Sequence, residues 1–222
     1  MAQDRQTSVI LSLASTIGVA VAAIIVYLVV VSVDAGGSSL KFKNPSRSME
    51  PTILMGDYVT ARRLDEVAMD PALIRRGEIV LHLFPGDPAQ TFMKRVIGLP
   101  GDTIEMKNGL VWINGHVLHE SYTLTTDSAD PVVDEFRWQR RYLVGHARRD
   151  TAQYVASRNN WGPVVVPGNN FFVLGDHRDM SLDSRYFGFV TAHQIFGSVR
   201  RVYFSRDSSR QIRWSRLGHL IQ

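Results

Sequence analysis

Phe92-Met93-Lys94-Arg95-Val96-Ile97-Gly98-Leu99-Pro100-Gly101-Asp102 reads as a β-strand stopped by a turn. Apolar and β-prone residues dominate it, and Pro100-Gly101 punctuates its end. Working outward, Glu78 to Phe84 is a strand closed by a turn over Pro85-Gly86-Asp87-Pro88. Thr103 to Met106 and Leu110 to Ile113 flank Lys107-Asn108-Gly109, a hairpin signal. Asn114-Gly115 is a second turn, leading to His116-Val117-Leu118-His119. Upstream, Leu40 to Lys43 alternates apolar and polar residues, and Tyr58 to Ala61 follows a Gly56-Asp57 turn. Leu64 to Arg76 is mixed and reads as a loop or short helical turn. Ser121 to Asn160 is polar and reads as loops and short strands of an insert. Strand character returns at Val164 to Val166, Asn170 to Leu174, Phe187 to Val190 and Ser198 to Phe204. Many short strands between turns predict a mainly β body.

The N-terminal part is different. Gln6 to Val33 carries no Asp, Glu, Lys or Arg, and Val9 to Val33 is its most apolar part. Twenty-five helical residues at ~1.5 Å each can cross a hydrocarbon core of ~30 Å. A cleaved secretory signal has a shorter apolar core and a basic leader, whereas here Arg5 is offset by Asp4. The segment therefore reads as a retained anchor, with a cleaved signal and a buried soluble helix as the alternatives. The chain divides into a leader at 1–8, an anchor at 9–33, a linker at 34–40 and a β domain at 41–204. That domain holds a smaller insert at about 106–168, and a basic amphipathic tail follows at 205–222. The flanks do not orient the anchor: Lys41, Lys43 and Arg47 follow it and Arg5 precedes it.

The 222 residues contain no cysteine, which excludes disulfides, a thiol nucleophile and thiolate metal sites. The net charge of +4 is modest and concentrates late, in Arg200, Arg201, Arg206, Arg210, Arg213 and Arg216. Beside an anchor, anionic lipid rather than nucleic acid fits that tail.

Three clusters could carry chemistry. Ser48 lies between Pro45 and Pro51, which stiffen the backbone around a hydroxyl, although a plain Pro/Ser turn has the same composition. Ser46 offers a second hydroxyl nearby. A serine nucleophile needs a base. The seven histidines, His82, His116 and His119 among them, occupy no triad context. Lys94 sits among Phe92, Met93, Val96 and Ile97, and burial there would lower its pKa. An outward lysine on an edge strand is the plainer alternative. The third cluster, Gly175 to Val190, concentrates carboxylates, guanidiniums and hydroxyls. Asp176, His177, Asp179 and Asp183 could ligate a metal, but Arg178 and Arg185 compete for the same carboxylates.

Together these stretches resemble the bacterial type I signal peptidase family. Ser48-Met49-Glu50-Pro51-Thr52 is similar to its nucleophile box, and Arg76-Gly77-Glu78-Ile79-Val80 to its Arg-Gly-Asp-Ile-Val strand. Lys94 to Asp102 is similar to its lysine box, and Gly175 to Val190 to its Gly-Asp-Asn box, with His177 in place of Asn. The resemblance implies a mainly β fold of short antiparallel sheets with a smaller β/loop insert, preceded by one transmembrane helix. It implies a serine endopeptidase that removes signal peptides from exported preproteins after small-x-small sites. Ser48 would be the nucleophile and Lys94 the base. Ser46 and the Ser48 N–H would form the oxyanion hole. Ser181 would orient Lys94, and Asp176, Asp183 and Arg185 would brace the site. Phe42, Asn44, Pro45, Met49, Ile53, Phe92 and Met93 would line the substrate cleft, with Asn44 standing where an apolar residue is usual. No cofactor or metal is implied. The partners would be preproteins and the bilayer, and the place an inner (plasma) membrane, single-pass, with the catalytic domain outside the cytoplasm. A self-cleaving Ser/Lys protease and a non-catalytic membrane-tethered scaffold are the competing readings.

Overall fold

A computed structural model of the chain describes residues 39–64, 71–145, 147 and 151–221. The expected leader, the Val9–Val33 anchor and the linker up to residue 38 lie outside these residues. Among the described residues no helix is long and apolar enough to cross a membrane.

Among the described residues eleven strands form two antiparallel sheets. The larger contains β1 (Ser39–Lys43), β2 (Asp57–Arg63), β3 (Ile79–Phe84), β4 (Asp87–Gly98), β9 (Asn170–Leu174), β10 (Val190–Thr191) and β11 (Ile195–Ser205). Its order is β1-β2-β11-β3-β4-β9-β10. The smaller contains β5 (Thr103–Lys107), β6 (Leu110–Ile113), β7 (His116–Val117) and β8 (Trp161–Val165), in the order β7-β6-β5-β8. From Met93 to Gly98 every residue of β4 is buried, so apolar packing covers both faces there. Met49, Ile53, Val59, Leu81 and Met93 meet in one core cluster. Ile97, Ile104, Phe136, Trp161 and Phe172 meet in another, between the sheets.

Three local expectations change. The turn expected over Pro85 to Pro88 is tighter, because Phe84 already pairs with Asp87 and the strand resumes there. Pro88 falls on the exposed end of β4, where a missing N–H leaves no buried partner unsatisfied. The strand expected at Phe187 to Val190 is largely a one-turn helix, α1 (Ser184–Phe187). The Asp183 carboxylate accepts from the Arg185 N–H at its start, and Gly188 ends it at φ 87°. Caps at both ends outweigh the β preference of Tyr186 and Phe187. The polar stretch before β8 holds a 3-10 run, Asp134–Tyr142, that buries Phe136.

The basic tail is strapped to the body. Arg206 N–H donates to Gly56 O, Gly218 N–H to Val202 O and Ile221 N–H to Arg200 O. Among its described residues the only helical piece is a 3-10 turn, Trp214–Arg216. The periodicity of an amphipathic surface helix is therefore not used there. Arg213 and Arg216 turn inward to the buried Asp57 instead of facing outward as a charged surface.

Candidate active site

Lys94 lies on the buried part of β4, paired in register with Val80. The residue is 4% exposed. Nζ lies 2.9 Å from Ser48 Oγ and donates to Met93 O at 3.0 Å. The Phe92 ring lies 5.2 Å from the same nitrogen. Burial lowers the Lys94 pKa to about 8, with the charges of Asp183 and Asp176 opposing that shift.

Ser48 is carried on the loop between β1 and β2. Ile53 N–H bonds back to Met49 O at 2.8 Å, one turn of helix-like backbone just after the serine. Ser46 Oγ is 3.1 Å from Ser48 Oγ. Asn44 holds this loop from inside: its Nδ2 donates to Ser46 O, Ile53 O and Leu54 O at 2.9, 3.2 and 3.0 Å. Asn44 spends its amide on backbone, which is how a polar residue is tolerated at 2% exposure.

The loop after β9 closes the site. His177 N–H donates to Ser48 O at 3.1 Å. Asp176 accepts two bonds from Arg95, at 2.8 and 2.7 Å, and one from Thr52 Oγ1 at 2.5 Å. Asp183 accepts from Arg185 at 2.8 and 2.9 Å and from Gly175 N–H at 3.0 Å. Burial alone would raise the Asp183 pKa, but the Arg185 charge and these bonds hold it below its usual value. Gly175 is required by space. A Cβ there would collide with Ser181 Oγ and Cβ and with Ser48 O.

The expected bond from Ser181 to Lys94 is not made. Ser181 is buried against Gly175 and finds no hydrogen-bond partner of good geometry. The carboxylate it influences is Asp183, which its hydroxyl helps keep ionised. The lysine fills its place with Met93 O instead.

A hollow of about 250 Å³ opens beside the Ser48–Lys94 pair. Phe42 of β1 and the following Asn44 and Pro45 line it together with Thr91, Phe92 and Met93 of β4 and the exposed Met180 and Leu182. Two expected lining residues are elsewhere. Met49 and Ile53 are fully buried in the core beneath the loop, because the turn that carries them faces inward. The lining residues Thr91, Met180 and Leu182 went unread. The signal for the last two was available: apolar side chains within a charged loop, here 53% and 47% exposed. Arg95 and Thr52, the partners of Asp176, were also unread, although both lie within the quoted boxes.

The profile of the family described as signal peptidase, peptidase S26, matches residues 11–204. A probable signal peptidase I-2 of Synechocystis is 33% identical over 159 residues, covering 69% of this chain and 57% of that protein. A signal peptidase I of Bacillus caldolyticus is 35% identical over 154 residues, covering 69% and 72%. A crystal structure of a signal peptidase I from Enterococcus faecalis aligns with a TM-score of 0.37 at 30% identity, over 56% of this chain and 95% of that one. The chain thus spans little more than half the length of the Synechocystis relative. A profile match across most of the length, with relatives above 30% identity, means that this chain belongs to the signal peptidase family, peptidase S26.

Proposed function

We propose that the chain is a membrane-bound serine endopeptidase that removes N-terminal signal peptides from exported preproteins, with Ser48 as nucleophile and Lys94 as general base. The observation that carries this reading is a buried amine 2.9 Å from a serine hydroxyl, its pKa lowered to about 8. At pH 7 roughly one such lysine in ten is neutral, against about one in a few thousand for a solvated lysine. Only the neutral amine can accept a proton.

Neutral Nζ takes the Ser48 proton as Oγ bonds to the scissile carbonyl carbon. The carbonyl oxygen becomes an oxyanion that receives bonds from the Ser46 hydroxyl and the Ser48 N–H. The C–N bond then breaks, the Lys94 ammonium protonates the departing amine, and an acyl-enzyme remains. Lys94 next takes a proton from water, the oxygen attacks the acyl carbon, and Ser48 regains its proton as the acid leaves. A hollow of about 250 Å³ is smaller than most drug-sized sites of ~300–1,000 Å³. It suits short side chains of an extended peptide laid between Phe42–Pro45 and Thr91–Lys94.

The test incubates purified chain with a preprotein carrying an Ala-x-Ala site. Cleavage is expected after the second alanine. Because the base must be neutral, kcat/KM is expected to rise about tenfold per pH unit below 8 and to level above it. A flat profile between pH 6 and 9 would reject Lys94 as the base.

The Val9–Val33 segment anchors the chain in the plasma membrane in this reading, with the catalytic domain outside the cytoplasm. The exposed Trp214, Leu220 and Met55 are apolar surface suited to a lipid boundary. Protease added outside intact spheroplasts is expected to digest the catalytic domain, and a protected domain would reverse the orientation.

A further inference from the structure

We infer that Arg216, near the C-terminus, is a positioning residue for the nucleophile. The inference rests on reading Ser48 as that nucleophile. The loop from Pro45 to Gly56 leaves β1 and returns to β2 without a strand partner of its own. Ser48 is held to the geometry of Lys94 only as well as this loop is fixed. Its far end is fixed at Asp57, a fully buried carboxylate. Asp57 Oδ2 accepts from Leu54 N–H at 2.8 Å, and Oδ1 accepts from Ser205 Oγ at 2.6 Å.

Arg216 closes this arrangement. Its Nε reaches both oxygens of Asp57, at 3.1 and 2.9 Å, and its Nη2 reaches Oδ2 at 2.6 Å. The same Nη2 donates to Thr52 O at 2.8 Å. Thr52 is thus gripped twice, through its carbonyl by Arg216 and through its hydroxyl by Asp176. Asp176 is itself the partner of Arg95, the neighbour of Lys94 on β4. Arg216 therefore ties the C-terminal segment to the loop close to the nucleophile, and Arg213 adds a second tie further along it through Met55 O at 3.1 Å. A structural ion pair would need only the carboxylate. The bond to the loop backbone is what a positioning role adds.

Arg216 is 15% exposed at its side chain, so the pair is shielded rather than fully solvated. The planar fork matters, since it spans a carboxylate and a carbonyl in fixed directions. Lysine keeps the charge but has a single nitrogen for all these acceptors.

The test compares full-length Arg216→Met, Arg216→Lys and, as a charge control, Arg200→Gln, whose side chain is exposed on β11. Two readouts are used: steady-state cleavage of the Ala-x-Ala preprotein, and hydrogen exchange of the Ile53 and Leu54 amides. Arg216→Met is expected to lower kcat at least about tenfold with KM within about twofold, and to speed exchange at both amides. Arg216→Lys is expected to fall between that variant and the wild type, and Arg200→Gln to match the wild type. Loss of folding in Arg216→Met, read by near-UV circular dichroism, leaves the decision to Arg216→Lys. Unchanged kcat and exchange in Arg216→Lys would then overturn the proposal. A rise in KM with kcat unchanged would also overturn it, and would make the tail a substrate contact. A wild-type chain that cleaves nothing sinks the Ser48–Lys94 reading instead, and amide exchange still decides whether Arg216 clamps the loop.

Discussion

Ser48→Ala and Lys94→Ala are each expected to lower kcat/KM for the Ala-x-Ala preprotein by about 10⁴-fold or more, with the folded state retained. In the proposed mechanism the two groups act as one unit, so either loss removes the covalent route. Ser48→Ala deletes a hydroxyl bonded to Lys94 and Ser46, on a residue that is 6% exposed, and it opens no large cavity. Lys94→Ala removes more volume, but it also removes a desolvated cation, and the two effects on stability oppose each other. The double variant should be no worse than either single one, as expected of a unit rather than two independent contributions. Lys94→Arg separates charge from basicity. A guanidinium stays protonated at any working pH and cannot take the Ser48 proton, so it should be as inactive as alanine. Steady-state kinetics on all four variants, with thermal unfolding as the control, checks this. Activity within about tenfold of wild type in any of them would remove the dyad from the mechanism.

The proposed Ser48–Lys94 pair was legible from the order of the family's boxes, since taken singly a Pro/Ser turn and an outward lysine on an edge strand stayed open, and the local signals only agree with it. A lysine inside Phe92 to Ile97 cannot reach water easily, and Pro45 and Pro51 announce a constrained loop around Ser48. Strand positions were legible locally, because alternation and turn residues act within a few residues. What was not legible depended on direction or on distant partners. The family resemblance puts Met49 and Ile53 in the cleft, but the helix-like turn between them aims both into the core. No pattern of two apolar residues says which way a turn will face. Ser181 has the position of a Lys94 partner, yet it lies against Gly175 while the amine bonds to Met93 O. The tail was read from its charge, and charge alone favours lipid. Its arginines have a buried acceptor, Asp57, that lies 159 positions away from Arg216 in sequence. Long-range pairing of this kind leaves no mark in local composition.

Breaking the Asp183–Arg185 pair is expected to destabilise the chain more than any change at its surface. Both side chains are fully shielded, at 0% exposure, with Nε to Oδ1 at 2.8 Å. Removing one partner strands the other charge away from water, a loss of ~3–5 kcal/mol. For a domain of this size that is a fall of roughly 10 °C in Tm. Asp183→Leu should be the worse of the two single changes. It also removes the acceptor for Gly175 N–H and the cap of α1, and it leaves Arg185 with Arg178 O as its remaining hydrogen-bond acceptor while Nη1 already lacks one. Arg185→Met leaves Asp183 with the Gly175 and Arg185 backbone N–H groups, and the carboxyl can relieve its burial by taking a proton. The double variant Asp183→Leu/Arg185→Met should recover much of the loss, because an apolar pair pays no desolvation. Recovery of stability without recovery of activity is the informative outcome. Asp183 holds Gly175, and the same loop donates the His177 N–H to Ser48 O, so the pair fixes the loop's shape as well as its stability. The pH dependence has a definite sign. The Asp183 pKa is depressed in the folded chain, so its contribution is present above about 3.8 and is lost as pH falls below that value. Unfolding measured from pH 7 downward should therefore show the wild type losing stability in acid and the double variant losing less, whereas parallel curves would deny the pair its role.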